Sequence, residues 1–368
     1  MSPSTPSTRS SRTAPAERAA PSGVGTGGVR PLRWALPLVA LVLLPACGGG
    51  QSAPVADGGG QAVVAAQEIR IDVEQLHADA ALLAADSLEG RRVGSPGNAV
   101  ARAWLVGRLQ EIGAEALGPG GSDAPAVEGT GGFGVGFPAI IGGDNQAVEG
   151  VNLVARIPGT RPDGPVIVLG AHYDHLGVRD GQIFNGADDN ASGTAGVLAI
   201  AEQLQASRPT HTVILALFDG EEGGLRGARA FVGNPPVPLE RIALMVNLDM
   251  VGRNDAGELY AAGTYHRPGL EPLVDRVAAE APVTLLKGHD RPDLPPGDDW
   301  TSASDHGPFH QEGVPFLYFG VEDHPDYHQP TDTADRLQPG FHAAAVETIL
   351  RVLEEADREL AGGSSGWR

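Results

Sequence analysis

Residues 166–175 read Val-Ile-Val-Leu-Gly-Ala-His-Tyr-Asp-His, and residues 213–222 read Val-Ile-Leu-Ala-Leu-Phe-Asp-Gly-Glu-Glu. In each stretch, six small or apolar residues are followed directly by polar and charged ones. Apolar runs without polar alternation are typical of strands buried on both faces of a parallel sheet. In such sheets, ligands bind beyond the carboxyl ends of the strands. The two stretches therefore predict an α/β fold and also where its functional site lies.

The rest of the chain extends this pattern. Further apolar runs cover residues 151–157, 242–248 and 314–319, and the candidate helices are 73–83, 95–112, 192–204, 269–281 and 339–360. The second helix is predicted to be capped by Ser95, to carry Pro96 in its first turn and to stop at Gly113. We therefore expect a mixed, mainly parallel central sheet flanked by helices on both faces.

The domain limits follow from composition and patterning. One domain is expected over residues 68–362, followed by a short tail at 363–368. The Gly-rich stretch 114–148 is predicted to contain strand fragments joined by mobile loops. A Pro- and Asp-rich stretch at 288–300 is interpreted either as a lid that contacts substrate or as an inert surface loop.

Composition excludes several classes of protein. The chain has 368 residues, 41% of them hydrophobic and 20% charged, which is too apolar for a disordered protein. Its 26 Lys and Arg residues face 46 Asp and Glu residues, and the net charge of −20 argues against a nucleic-acid partner. Because Cys47 is the single cysteine, the sequence permits neither an internal disulfide nor a thiolate cluster. Any metal must be held by His, Asp and Glu.

The N-terminal segment is interpreted as a targeting signal. Arg30 and Arg33 precede an apolar run at 34–44, which is too short to span a bilayer but suits a signal peptide; a buried core helix is the alternative. Leu44-Pro-Ala-Cys47 resembles the lipobox of bacterial lipoproteins. The resemblance implies that residues 1–46 are removed, that Cys47 is acylated, and that 47–67 form a flexible tether. The protein would then be anchored in the bacterial cell envelope, facing the periplasm or the exterior.

Polar side chains follow the predicted strands or precede a helix at several points. They are His172 and Asp174; Asp188 and Asp189; Asp219, Glu221 and Glu222; Asn247 and Asp249; and Tyr327 and His328. Singly, each is explained as a turn, a helix cap or surface charge. Together, carboxylates that converge at one sheet edge would repel one another unless cations hold them ionised. Histidines and carboxylates without cysteine predict zinc or a similar divalent ion.

These motifs resemble those of the bacterial di-zinc aminopeptidases, in the family's order. The matching stretches are 88–91, 94–97, His172-x-Asp174, 186–193, 221–223, 247–250, 304–306 and 327–328, and the similarity covers roughly residues 83–360. The resemblance implies a zinc-dependent exopeptidase-like fold, two Zn²⁺ ions per chain, and peptide substrates with a free N-terminus.

The resemblance also implies a ligand set. His172 and Asp249 would complete one zinc site and Glu222 and His328 the other, with Asp189 bridging both. Asp188 is the alternative bridge. The peptide bond between Asp189 and Asn190 would be cis.

Further roles are implied for residues around the metals. Glu221 would be the general base, and the carboxylate of Asp174 would accept a hydrogen bond from His172 and fix its tautomer. Tyr327 would steady the tetrahedral oxyanion or, alternatively, pack beside His328. Asp305 would shape the pocket or bond behind a ligand. His175, His310 and His324 are expected to be ordinary loop or helix residues.

Three functions remain compatible with the sequence. The first is an exported aminopeptidase, the second a glutaminyl cyclase-like acyltransferase, and the third a non-catalytic binding ectodomain. The 189–193 sequence favours the peptidase over the cyclase, and the complete ligand set weighs against a non-catalytic role.

Overall fold

The computed structural model describes residues 68–118, 127–141, 146–295, 297–363 and 366–367. The predicted signal peptide, the tether and Cys47 lie outside the described residues. Among the residues that are described, no helix is both long and apolar enough to cross a membrane.

Within the described ranges, nine strands form a mixed sheet at the centre of the fold. The strands are β1 (Glu115–Ala116), β2 (Gly134–Ile141), β3 (Gln146–Ile157), β4 (Val166–His172), β7 (Val213–Phe218), β8 (Ile242–Leu248), β9 (Glu258–Ala262), β10 (Thr284–Lys287) and β11 (Phe316–Gly320), while β5 (Gly177–Arg179) and β6 (Gln182–Phe184) form a separate hairpin. The main order is β1-β3-β7-β4-β8-β11-β9-β10, with β2 paired to β3. The four central strands, β7, β4, β8 and β11, run parallel to one another. This confirms the predicted mixed sheet with its parallel centre.

Antiparallel pairs flank the parallel centre, and the outermost strand β10 then pairs parallel to β9. On one side β3 pairs with β7 and with β2, and on the other β9 pairs with β11. The predicted strand at 151–157 is thus the second half of a longer strand that begins at Gln146 and forms a hairpin with β2. Strands β9 and β10 were not predicted, because their apolar runs are short: four residues at 259–262 and two at 285–286.

Helices cover both faces. They are α1 (Val73–Leu83), α2 (Pro96–Ile112), α3 (Gly193–Ala206), α4 (Arg226–Gly233), α5 (Glu271–Ala278), α6 (His306–Gln311) and α7 (Pro339–Ala361). Helices α1, α2, α3, α5 and α7 share one hydrophobic core with the sheet, and α4 and α6 contribute to a core on the other face. Within β7, Val213 and Leu215 face the first core, whereas Ile214 and Ala216 face the second. The alternation explains why the apolar run is continuous in sequence.

The predicted start and stop of α2 are confirmed. The Ser95 hydroxyl accepts a hydrogen bond from the Asn98 amide at 3.1 Å, and Pro96 is the first helical residue. Gly113 ends the helix in the left-handed conformation, with φ of 79°. Near the chain's end, Trp367 is buried and its indole donates to Glu359, so this residue of the expected tail packs on the domain.

Candidate metal centre at the carboxyl edge of the sheet

The four central strands end at the same edge and carry most of the predicted site. His172 is the last residue of β4, and Asp249 directly follows β8. Glu221 and Glu222 lie in the turn after β7, and His328 lies in the loop after β11. Asp189 comes from the irregular turn Ala187–Ser192 that leads into α3. The structure therefore brings the five predicted ligands to one place.

The first group of ligands is His172, Asp189 and Asp249. His172 Nε2 lies 3.3 Å from Asp189 Oδ1 and 3.4 Å from Asp249 Oδ1. All three residues are buried. One imidazole nitrogen and two carboxylate oxygens thus face a common point that has almost no access to bulk water.

The second group is His328, Asp189 and Glu222. His328 Nε2 lies 3.0 Å from Asp189 Oδ2 and 3.4 Å from Glu222 Oε2. Asp189 therefore turns one oxygen to each group, which is the arrangement that a bridging carboxylate requires.

These groups fit zinc. Donor atoms about 2.0–2.1 Å from a tetrahedral ion lie about 3.3 Å from one another, close to the separations found here. Asp249 Oδ1 and Glu222 Oε1 are buried without a well-formed hydrogen bond among the described residues, although His172 Nε2 lies 3.4 Å from the first and His175 Nδ1 2.6 Å from the second. Such buried oxygens are costly unless a cation satisfies them. The all-nitrogen-and-oxygen donor set is one that zinc accepts.

Asp188 does not face the two groups. Its Oδ1 accepts a hydrogen bond from the Gly252 amide at 2.7 Å, and its Oδ2 lies 3.0 Å from His324 Nε2. With both oxygens engaged elsewhere, Asp188 is the wrong candidate for the bridge. His324, expected to be an ordinary loop residue, is the partner that holds it.

The charges in the cluster shift one another's protonation. Burial raises the pKa of Asp189, but the imidazoles of His175, His172 and His328 outweigh it and hold that pKa well below the usual range. Burial raises the pKa of Glu221 well above its usual range, and the neighbouring Asp305, Asp249 and Glu222 raise it further, while His172 opposes them. A raised pKa is the direction that a group exchanging a proton near neutral pH requires.

The contact between His172 and Asp174 differs from the expectation. His172 Nδ1 meets the main-chain carbonyl of Asp174 at 3.2 Å, whereas the Asp174 carboxylate is 3.7 Å away. That carboxylate instead accepts the backbone N–H of Glu221 at 3.0 Å. The chain turns after β4, so the Asp174 carbonyl contacts the His172 ring, and the Asp174 carboxylate joins the loop after β4 to the turn after β7.

The turn that carries Asp189 is fixed from two sides. The Asn190 side chain donates to the Leu248 carbonyl at 2.9 Å, and the Asp332 carboxylate accepts the backbone N–H groups of Asp188 and Asp189 at 3.0–3.1 Å. The Asp189–Asn190 peptide bond is cis, as the resemblance implied. Sequence reasoning assigned no role to Asp332, although it lies just beyond His328 in the same polar stretch.

His175 was wrongly expected to be an ordinary loop residue. It is buried, and its Nδ1 lies 2.6 Å from Glu222 Oε1 and 3.8 Å from Asp189 Oδ2. Its ring packs over Gly186, where a Cβ atom would come within 2.4 Å of it. His175, Asp189 and Glu222 can form a further candidate metal group. The available signal was its place in the sequence, one residue beyond Asp174.

Arg91 is a second residue whose role was missed. It is fully buried and donates to the main-chain carbonyls of Tyr173, Asn185 and Gly186 at 2.5–3.0 Å. Burial lowers its pKa to about 10, while the nearby carboxylates oppose that shift. Arg91 therefore stays charged beneath the anionic cluster and ties together two loops that carry it.

Asp305 and Tyr327 lie beside the cluster. Both oxygens of Asp305 are buried and lack a hydrogen-bond partner among the described residues, and burial raises its pKa to about 7. The Tyr327 ring stacks on His328 with centroids 4.0 Å apart. That stacking is the packing role considered for Tyr327, and its burial near Asp189 and Asp249 raises the pKa of its hydroxyl well above the usual range.

The described part of the stretch 288–300 contacts the site indirectly, through Trp300 and Tyr318. His289 stacks on Trp300 with centroids 3.7 Å apart, and Trp300 contacts Tyr318 edge to face at 5.6 Å. The Tyr318 hydroxyl donates to the Asp249 carbonyl at 3.3 Å. This stretch therefore supports the backbone of Asp249 through Tyr318.

Fold and site together define a zinc-dependent exopeptidase-like protein. The model of peptidase family M28 matches residues 152–353, so the chain belongs to that family. The uncharacterized protein YfbL of Escherichia coli K12 is 30% identical over 221 residues, which cover 52% of this chain and 67% of YfbL. Aminopeptidase YwaD of Bacillus subtilis is 29% identical over 200 residues, which cover 52% of this chain and only 41% of YwaD.

Solved structures show the same fold. Porphyromonas gingivalis glutaminyl cyclase matches with a TM-score of 0.61 at 20% sequence identity, covering 78% of this chain and 99% of the cyclase. BSAP, a zinc aminopeptidase from Bacillus subtilis, matches with a TM-score of 0.59 at 17% identity, covering 79% of this chain and 96% of BSAP, and the predicted zinc-dependent exopeptidase-like fold is confirmed.

Proposed function

We propose that the chain is an aminopeptidase that holds two zinc ions and removes N-terminal residues from peptides. The observation that carries the proposal is Asp189, whose two oxygens face two separate histidine–carboxylate groups beside Glu221. Membership of peptidase family M28 and the similarity to aminopeptidase YwaD support the same chemistry.

Different side chains would bind the metal ions and transfer the proton. His172, Asp249, Glu222, His328 and Asp189 would hold the ions. Bound zinc supplies an acidified water and a polarised carbonyl.

Glu221 accepts the proton of the attacking water and donates it to the leaving amine. Its raised pKa suits both directions of transfer. The backbone N–H of Glu221 donates to Asp174, which fixes the turn from which this carboxyl projects. The surrounding carboxylates attract the ammonium of a free N-terminus, which favours cleavage at the end of a peptide.

Replacing Glu221 tests the assignment most directly. Glu221→Gln keeps the size of the side chain but removes the proton acceptor, so zinc content should stay at the wild-type value while turnover of leucine p-nitroanilide falls by about 10²–10⁴-fold. Metal content is measured by mass spectrometry and turnover by absorbance. Wild-type turnover in a zinc-loaded Glu221→Gln protein would refute the role of this residue.

The same assay separates the other functions. Peptides with N-terminal Gln are offered alongside the p-nitroanilides, with and without a chelator. Release of pyroglutamyl peptide without release of free amino acids would establish the cyclase reaction instead. Absence of turnover on both substrate types in a zinc-loaded chain would favour a binding role.

We further propose that the protein is exported and lipid-anchored in the bacterial cell envelope. Support comes from Arg30 and Arg33 before the apolar run 34–44, and from Leu44-Pro-Ala-Cys47 at its end. In a bacterial host fed a labelled fatty acid, the wild-type protein should take up label and fractionate with membranes. Cys47→Ser should take up none; label in that variant, or its absence from the wild type, would contradict the anchor.

A further inference from the structure

A cavity of about 390 Å³ lies beside the second ligand group and has Glu222 in its wall. Its inner end is formed by Asp174, His175 and Glu222. Its walls include the side chains of three arginines, which are Arg92, Arg179 and Arg226. The cavity therefore runs from an anionic inner end, which belongs to the metal centre, to a cationic rim.

The three arginines come from three separate segments. Arg92 follows the turn Asp86–Arg91, Arg179 is in β5, and Arg226 begins α4. Their meeting at one cavity is a product of the tertiary fold, since no basic cluster is visible in the sequence.

Each arginine is oriented by contacts other than an ion pair. Arg226 Nε donates to the Gly223 carbonyl at 3.0 Å, and the Arg179 guanidinium lies 5.6 Å from the centre of the Phe184 ring. The stem of Arg92 crosses Gly177, where a Cβ atom would come within 2.8 Å of it. Carbonyl, aromatic and glycine contacts orient the side chains without neutralising them.

Among the described residues, none of the three arginines forms an ion pair with a carboxylate. Other arginines do so, for example Arg108 with Asp79 at 3.0 Å and Arg253 with Asp326 at 2.6 Å. In a chain with a net charge of −20, acidic partners are abundant. Three unpaired guanidinium groups around one cavity are therefore a built anion-binding surface.

We propose that this cavity binds a carboxylate of the peptide substrate, so that the enzyme favours substrates carrying a negative charge close to the scissile bond. Guanidinium groups match carboxylates in shape and donate two hydrogen bonds at once. The volume of about 390 Å³ leaves room for a side chain and its carboxylate. The proposal rests on the proposed function, because it requires the peptide to bind at the metal centre beside Glu222, next to the three arginines.

The carboxylate can come from two sources. In a dipeptide it is the C-terminal carboxylate, and in a longer peptide it is the side chain of Asp or Glu next to the cleaved bond. Leu-Gly compared with Leu-Gly amide tests the first source. Leu-Glu amide compared with Leu-Gln amide tests the second.

The experiment measures kcat/KM for both pairs in the zinc-loaded full-length chain and in a variant with Arg92→Gln, Arg179→Gln and Arg226→Gln. The wild type should prefer the charged member of at least one pair by about tenfold, and the triple variant should lose that preference. Turnover of the uncharged leucine p-nitroanilide should be unchanged. Arg229→Gln is the matched control, because Arg229 lies on α4 one turn from Arg226 but is not part of the cavity wall.

Two results would overturn the proposal: a wild-type preference near one for both pairs, or a preference that survives in the triple variant. Failure of the proposed function is seen separately, as absence of leucine p-nitroanilide turnover. In that case calorimetric binding of the same four peptides to the wild type and the triple variant still decides whether the cavity selects carboxylates.

Discussion

The two halves of the metal centre are built differently. His172 and Asp249 come from the ends of the central strands β4 and β8, and only 1% of the His172 side chain is exposed. Glu222 and His328 come from loops, and 39% of the His328 side chain is exposed. The histidine of the first half is therefore enclosed by the core, whereas the histidine of the second half is reached by solvent.

One half of the metal centre is thus held by the sheet, and the other is held by loops that solvent can reach. The strand-end half is held by the hydrogen-bond ladder of the sheet, so its geometry is set when the sheet forms. The loop half depends on side-chain contacts such as Tyr327 stacked on His328 and His175 beside Glu222. We expect the halves to respond differently to the same type of mutation.

The largest effect is expected where both halves are broken at once. Asp189→Asn keeps the shape of the bridging residue but removes its charge, so zinc content should fall from two ions toward none and leucine p-nitroanilide turnover by at least about a thousandfold. Asp188→Asn is the control and should retain both ions, because Asp188 bonds Gly252 and His324 instead. Two bound ions in Asp189→Asn would contradict the bridge.

The next comparison sets the halves against each other in metal-free protein. His172→Ala leaves Asp249 and Asp189 buried without their imidazole partner, and should lower the free energy of unfolding by about 3–5 kcal/mol. His328→Ala removes a partly exposed side chain and should cost about 1 kcal/mol or less. Urea denaturation in chelator measures both values. Equal losses would show that the halves do not differ in burial as described.

A smaller effect is expected at Gly186, beneath the loop half. Its φ is +61°, and a Cβ atom there would come within 2.2 Å of the Asp189 carbonyl and 2.4 Å of the His175 ring. Gly186→Ala should therefore lower the free energy of unfolding by about 1–3 kcal/mol and weaken zinc binding. Gly181→Ala is a control with the same type of backbone, φ +75°, but open space around it. A loss no greater than that of the control would exclude the steric explanation.

The last prediction concerns His342, which supports the turn before α3 and whose effect appears only in acid. His342 is buried, its Nε2 lies 3.0 Å from the Ser192 carbonyl, and burial lowers its pKa to about 4. Since the folded state keeps the ring neutral, its contribution is complete above pH 6.5. It is lost by about 1.4 kcal/mol per pH unit as the pH falls toward 4.

The acid dependence of unfolding measures this term. His342→Gln should show a shallower loss of stability between pH 6.5 and 4 than the wild type. Parallel curves for the two proteins would mean that His342 titrates normally in the folded state.

Much of the strand-end half could be predicted from sequence. The apolar runs 166–171 and 213–218 predict buried strands, and in a parallel sheet the carboxyl ends of such strands meet at one edge. The loop half could be named only through motif resemblance, because His328 stands in a loop without periodicity. His175, Asp332 and Arg91 were missed since their roles depend on contacts with distant backbone, which spacing does not encode.

The sequence by itself determined the class of fold, the helix caps at Ser95 and Gly113, and which residue types could hold a divalent ion. Those features follow from local rules of periodicity, backbone conformation and ligand chemistry. Only the tertiary structure decided that Asp189 rather than Asp188 turns both oxygens to the cluster, and that Arg92, Arg179 and Arg226 share one cavity. These outcomes depend on how separate loops pack against one another, which is set by long-range burial and charge rather than by neighbouring residues.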